Sequence, residues 1–415
     1  MKVAIIASGF LPVVDGVTVS GFHRLQKLSE WGHQVLLFCP DYRALAGIYP
    51  HWKDYTGEIL PGVRVVNLSS TPFFVDFERN VSFWSYPTVV RELRSFEPDL
   101  VHVDEPERLF VGFWQVPGVK YAQQAGVPCV SFFRTNFLEY LEDFFPLPHR
   151  AIATLRFVIK KLILFVYNSY DLTLVSSRVT FQKIVDLGIT NAHYANLLGF
   201  EVNFHPHLRT KSFFRQHYRL SLDRFVKLIF LGRLTWDKGW EFTIEAFSQL
   251  AAVIDLNQVA LLIVGDGPIR EEIAARLGEF APNIHFFGRV PPEEVPALMA
   301  NSDIHVTASE KETRGLTVLE AFAAGIPVLA PRAGGVVENI RDGWNGFLYA
   351  PQDCQDFAHK LTLLTNNQQL RQQLGRNGQQ CIEQYTWEHT VGNLVRVWEA
   401  QIASSSPSSG SNADQ

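Results

Sequence analysis

Two doubly wound α/β lobes are the fold that this sequence predicts, and three observations carry the prediction. The chain has 415 residues, 47% of them apolar, enough to fill two cores rather than one ordinary domain. Its strand-like segments are continuous apolar runs, the mark of parallel strands covered on both faces. Helical patterns separate those runs in both halves, so each half repeats a strand, helix, strand unit.

The first strand is VAIIAS (3–8). Its apolar run of about five residues turns directly into LPVVDG and is too short for a secretory leader. A helix from 18 to 31 comes next, then HQVLLFCP (33–40), PDLVHV (98–103), PCVSFF (128–133) and LTLVSS (172–177). The second half repeats the scheme with VKLIFLG (226–232), ALLIVGDG (260–267), IHFFGRV (284–290), IHVTAS (304–309) and PVLAP (327–331). Proline and polar residues in 201–221 break the apolar pattern, which sets the lobes at 1–205 and 206–385. The amphipathic segment 386–402 is expected to form a helix that packs back on the first lobe. The Ser-rich stretch 403–415 cannot bury enough apolar area to order itself. Ligands of open parallel sheets sit at the carboxyl ends of the strands, so the cleft between two facing lobes is the expected site.

Composition excludes several classes of function. A formal charge of −5 gives no basic field for nucleic acid. Cys39, Cys129, Cys354 and Cys381 are scattered without C-x-x-C spacing, which argues against a zinc site or a disulfide framework and for a reduced, cytosolic chain. The longest apolar region, 153–171, is interrupted by Arg156, Lys160 and Lys161. A spanning helix needs about 20 mostly uncharged residues, so none is expected here.

Three stretches carry chemistry. FLPVVDGV (10–17) leaves the first strand and enters a helix through Gly16, where backbone N–H groups and the helix N-terminus could approach an anion; an ordinary strand-to-helix turn explains it equally well. FLGRLTWDKGW (230–240) places Arg233 and Lys238 in one loop after a buried strand, suited to neutralising a diphosphate as it leaves. SEKETRGLTVLEAFAAGIPV (309–328) puts Glu312 and Glu320 on either side of Gly315. Glu320 lies inside the helix begun near Gly315 and suits the vicinal hydroxyls of a ribose. Glu312 precedes the helix, where unpaired N–H groups and the dipole favour negative charge.

Together these pieces resemble the family-4 retaining glycosyltransferases of GT-B architecture, along nearly the whole chain. GRLTWDKG matches that family's diphosphate loop, VGDGP the following turn, FFGRV the base-contacting loop and E-x7-E its acidic signature. The resemblance implies two Rossmann-like domains facing across a cleft, a nucleotide-sugar donor, no cofactor and no metal. It implies Glu312, Arg233 and Lys238 as catalytic residues. It also implies a donor site formed by Gly16, Arg233, Lys238, Val290 beside the nucleobase, Glu312 on the sugar hydroxyls, the backbone of Thr313, Arg314, Gly315 and Leu316, and Glu320 on the ribose.

Within the family, VDEPERLF (103–110) and FFRTNFLEYLEDF (132–144) look like stretches of plant digalactosyldiacylglycerol synthases. That likeness implies Glu105, Arg134 and Asn136 on the acceptor side, although Arg134 stands where the family usually has a histidine. ETRGLTVLEA is closer to the synthases that add sulfoquinovose to diacylglycerol. The implied activity is transfer of a hexose, galactose first, from a UDP-linked donor to a membrane glycolipid. The alternatives are sulfoquinovosyl or glucosyl transfer to diacylglycerol, or transfer to a soluble sugar or polysaccharide. Arg150, Arg156, Lys160 and Lys161, interleaved with Phe157, Ile159, Leu162 and Phe165, could rest on an anionic membrane, and Phe73, Phe74, Phe77, Phe83 and Trp84 could form an apolar lip. A packed helix and a filled core are the alternatives to those two readings. The chain is thus expected in the cytoplasm, peripherally bound to membrane, with its oligomeric state left open.

Overall fold

The computed structural model describes residues 1–73, 78–134, 148–197, 199, 208–250, 255–312, 315–382 and 385–405. Two sheets organise them. The first has eight strands in the order Ala192–Tyr194, Leu172–Val175, Cys129–Phe133, Leu100–Asp104, Lys2–Ala7, Gln34–Pro40, Val63–Leu68 and Gly57–Leu60. All neighbours are parallel except the last pair. The second has six parallel strands in the order Ile284–Gly288, Val259–Val264, Val226–Leu231, Ile304–Val306, Val328–Pro331 and Gly346–Tyr349.

Each strand feeds two cores because successive side chains point to opposite faces. Val3 and Ile5 pack with Leu25 and Leu28, while Ala4 and Ile6 pack with Val89 and Leu93 on the other side. The second sheet divides in the same way, with Leu228 and Phe230 in one layer and Ile229 in the other. Continuous apolar strands are the outcome of this double burial.

The strands end earlier than the apolar runs suggest. Ile304–Val306, for example, stops three residues short of Ser309, because the chain there leaves the ladder to build a loop at the cleft. Five further strand regions were not expected: Gly57–Leu60, Val63–Leu68, the hairpin Ser70–Pro72 with Arg79–Val81, Ala192–Tyr194 and Gly346–Tyr349. All but Val63–Leu68 are short and lie at sheet edges.

The last helix runs Trp387–Ser405, so residues 403–405 are helical rather than part of a disordered tail. The hydroxyls of Ser404 and Ser405 donate to Gln401 O, which gives these serines partners inside the helix. Trp398 of this helix is fully buried against Val3 and Ile5 of the first sheet. Its indole N–H donates to His102 Nδ1 at 3.2 Å. Asn393 donates to Asn196 O at 3.0 Å, a second tie to the first lobe. The expected lobe boundary at 205/206 falls outside the described residues. No helix among the described residues is long and apolar enough to cross a membrane.

Candidate active site

Strand order locates the site before any side chain is considered. In the first sheet the chain reverses direction between Lys2–Ala7 and Leu100–Asp104; in the second it reverses between Val226–Leu231 and Ile304–Val306. Loops leaving adjacent strands at such a reversal diverge to opposite faces and open a crevice. A cavity of about 1000 Å³ opens there between the lobes. Its wall brings together Gly16 from the first lobe with Arg233, Lys238, Val290, Glu312, Leu316 and Glu320 from the second. Thr313 and Arg314 lie outside the described residues.

Lys238 and Glu312 come from the two loops at the second reversal and meet as an ion pair. Lys238 Nζ donates to Glu312 Oε1 at 2.5 Å. Gly239 permits this meeting: its φ is 78°, and a Cβ there would collide with Ala308 O of the facing loop. Glu312 is held from behind by Gly335 N, which donates to its carbonyl at 2.7 Å. Burial raises the Glu312 carboxyl pKa, but the charge and hydrogen bond of Lys238, helped by Arg233, outweigh it and leave the group below its ordinary value. Glu312 is therefore an anion at neutral pH.

Arg233 faces the other lobe. Its Nη1 is 3.6 Å from Glu78, and Glu78 pairs with Arg108 at 2.9 Å. Glu78 is buried, and desolvation lifts its carboxyl above the ordinary range despite the two cations. This contact was invisible in the sequence; the one signal was the presence of charged residues, Glu78 among them, inside the phenylalanine-rich stretch TPFFVDFERN.

Glu320 projects from the helix Leu316–Ala323, which Gly315 starts in a left-handed conformation with φ 75°. A Cβ at Gly315 would lie 2.7 Å from Val336 Cγ1, so the turn packs tightly against the next loop. Desolvation alone pushes the Glu320 carboxyl up to about 7. One turn away along the wall, Thr317 shares a hydrogen bond of 3.1 Å with His305 Nε2, whose Nδ1 bonds Ile229 O at 3.0 Å. A carbonyl only accepts, so Nδ1 carries the proton and Nε2 accepts from Thr317. Burial keeps His305 neutral, its pKa down to about 4. A polar residue inside the apolar strand IHV was the available sign of this support.

The first lobe departs from expectation. Gly16 opens the helix Gly16–Glu30, but Asp15 caps it, accepting from Val17 N and Thr18 N at 2.8 Å each. Those two N–H groups are occupied, and a negative charge stands where an anion was expected to approach. Glu105 and Arg134 do not reach the cavity wall. Glu105 is buried and accepts from Ser8 Oγ at 2.5 Å. Arg134 donates to Val17 O at 2.9 Å and to Ser20 Oγ at 2.7 Å, with Asp104 3.4 Å from its Nε. Asn136 lies outside the described residues. The first-lobe wall instead combines apolar Leu11, Val13, Val19 and Phe22 and the rings of Tyr49 and Tyr55 with polar Asp15, His23, Gln26, Lys27 and Glu30.

Comparison with known proteins agrees with this architecture. Residues 14–195 match the family model described as Glycosyltransferase Family 4, and residues 214–381 match Glycosyl transferases group 1. A GDP-mannose-dependent alpha-mannosyltransferase of Mycobacterium tuberculosis is 31% identical over 87% of this chain and 86% of its own. The sulfoquinovosyl transferase SQD2 of Arabidopsis thaliana is 29% identical over 79% of this chain and 61% of its own. An alpha-monoglucosyldiacylglycerol synthase of Streptococcus pneumoniae is 22% identical over 84% and 75%. Among solved structures, Anabaena HepE in complex with UDP and glucose superposes with a TM-score of 0.70 at 20% identity, covering 96% of this chain and all of that one. The two facing Rossmann-like domains are therefore a GT-B fold.

Proposed function

Because the chain belongs to the glycosyltransferases of group 1 and family 4, we propose that it is a retaining, metal-independent enzyme moving a hexose, galactose first, from a UDP-linked sugar to a membrane glycolipid. Residues 1–205 form the acceptor lobe in this reading, and 206–385 form the nucleotide-sugar lobe. The observation that carries it is the meeting of Arg233, Lys238, Glu312 and Glu320 around one interlobe cavity.

The roles follow from position and charge. Arg233 and Lys238 face the diphosphate and offset the negative charge that builds as the bond from the anomeric carbon to phosphate breaks. Two fixed cations supply the neutralisation that a divalent ion would otherwise give. Glu312, held anionic by Lys238, accepts from sugar hydroxyls beside the developing positive charge of the ring. Glu320 accepts from the two ribose hydroxyls, and Val290 lies along the nucleobase. The acceptor oxygen attacks on the face the diphosphate leaves, and its proton passes to the departing phosphate oxygen.

The name of the pneumococcal relative, an alpha-monoglucosyldiacylglycerol synthase, supports a lipid acceptor, as do the apolar side chains Leu11, Val13, Val19 and Phe22 in the first-lobe wall. Such an enzyme works at the cytoplasmic face of a membrane, bound peripherally. A second reading, transfer of mannose, is favoured by the mycobacterial relative, which depends on GDP-mannose by its name. Mass spectrometry of purified protein with UDP-galactose, UDP-glucose, UDP-sulfoquinovose and GDP-mannose, each with dispersed diacylglycerol, its monogalactoside or a mixture of soluble sugars, tests both. A galactosylated lipid product is the expected result. Product only with GDP-mannose, or only on soluble sugars, overturns the first reading.

A further inference from the structure

We propose that one face of the first lobe, outside the cleft, is the surface on which this protein docks to an anionic lipid bilayer; this rests on the lipid-acceptor reading but is separable from it. The face consists of three neighbouring elements: the turn Phe83–Ser85, the helix Pro106–Phe113 and the helix His149–Tyr167. The middle helix packs against both of the others. Phe110 of that helix meets Phe165 of the long one edge to face, ring centroids 6.2 Å apart.

Exposure on this face runs opposite to the usual rule for a surface helix, which turns a polar stripe to water. On the long helix Phe157, Val158 and Phe165 are 62%, 56% and 60% exposed. At 3.6 residues per turn, positions 150, 154, 157, 158, 161 and 165 share an arc of about 100°. That solvent-facing arc is therefore three apolar residues with Arg150, Thr154 and Lys161. The middle helix adds Val111 and, just beyond its end, Trp114; the turn adds Phe83 and Trp84, the latter 82% exposed. Seven of the thirteen exposed large apolar side chains among the described residues thus sit on these three elements. Such clustering marks an interaction surface, not the scatter of an ordinary exterior.

Charge selects the occupant. The whole chain carries −5, yet the long helix holds Arg150, Arg156, Lys160 and Lys161 and no acidic residue. Glu107 of the middle helix is turned inward and bonded to the Tyr167 hydroxyl. Aromatic side chains beside Arg150 and Lys161, with no outward acid on these three elements, suit the boundary between anionic headgroups and acyl chains. The face also abuts the site: Arg233 in the cavity contacts Glu78, Glu78 contacts Arg108, and Arg108 lies on the helix that carries Val111. That chain of contacts ties the proposed docking face to the cleft.

The test is flotation of the full chain with phosphatidylcholine vesicles, with and without phosphatidylglycerol, at low and high salt. Binding is expected with phosphatidylglycerol and should weaken as salt screens the cations. Trp84→Ser with Phe157→Ser should weaken vesicle partitioning by about 10-fold or more, and Arg150→Glu with Lys161→Glu by a comparable factor. Nucleotide binding by calorimetry and melting temperature should remain as in the parent, since all four side chains are exposed. Failure of the parent to float, or variants that float equally well, overturns the proposal. So does light scattering that shows a dimer broken by the same variants, which would assign the face to a second copy. Vesicle binding without any lipid product would leave the face and remove the acceptor reading; transfer to detergent-dispersed lipid without vesicle binding would do the reverse.

Discussion

Lys238 Nζ and Glu312 Oε1 lie 2.5 Å apart, joining the two loops that diverge at the reversal of the second sheet. Both side chains are about one quarter exposed, so the pair adds on the order of 1 kcal/mol or less to stability. In the proposed mechanism its value is in placing an ammonium where a leaving diphosphate gathers charge. Lys238→Ala should therefore lower kcat by about 10² or more while moving Tm by no more than a few degrees. Parallel loss of activity and Tm would mean that the lysine holds the fold rather than the transition state. With the cations in place, turnover should also be unchanged by EDTA.

In its proposed role on the ribose, Glu320 should make nucleotide binding proton-linked. Its carboxyl is pushed up to about 7 by burial, so it holds about half a proton at neutral pH. Ribose hydroxyls donate to the charged form, which lowers that pKa and expels the proton. Calorimetry in buffers of different ionisation enthalpy should show release of about half a proton per nucleotide at pH 7, with affinity falling as pH drops below 7. Glu320→Gln should weaken binding and flatten that pH dependence. A pH-independent affinity in the parent would take Glu320 off the ribose.

The second lobe was far more legible in the sequence than the first. Arg233 and Lys238 share one loop, Glu312 lies in another with Glu320 in the helix that leaves it, and each loop follows a continuous apolar strand; local spacing is enough to predict that they converge. The first-lobe contacts depend on residues far apart in sequence. Arg134 meets Val17, Ser20 and Asp104 from separate elements, and Glu78 reaches a loop of the other lobe. No local pattern encodes such meetings. Two of the unexpected strands escaped for a different reason: Ala192–Tyr194 and Gly346–Tyr349 are too short, and too poor in β-branched residues, to stand out from loop.

Gly239 separates placement of the ammonium from the ammonium itself. An alanine there would adopt an unfavourable left-handed backbone, costing about 1–2 kcal/mol, and its Cβ would also collide with Ala308 O. Gly239→Ala should lower Tm and kcat together, unlike Lys238→Ala. Measuring both variants by calorimetric melting and steady-state kinetics distinguishes the two; a Gly239→Ala protein with the parent's Tm would show that the two loops can part without strain.

Arg134 ties elements of the first lobe together and does not line the cavity, a placement with a kinetic signature. Its guanidinium side chain is 7% exposed and links the strand Cys129–Phe133 to the first helix. Asp104 keeps Arg24 and His102 as partners when Arg134 is removed, so its charge is not left wholly uncompensated. Arg134→Met should then cost a few kcal/mol of stability, toward the lower end of about 3–5 kcal/mol for breaking a buried pair. Acceptor KM in the folded fraction should stay within about twofold of the parent, far less than the tenfold that a lost contact of 1.4 kcal/mol would give. A tenfold or greater rise in acceptor KM with unchanged Tm would return Arg134 to the acceptor site.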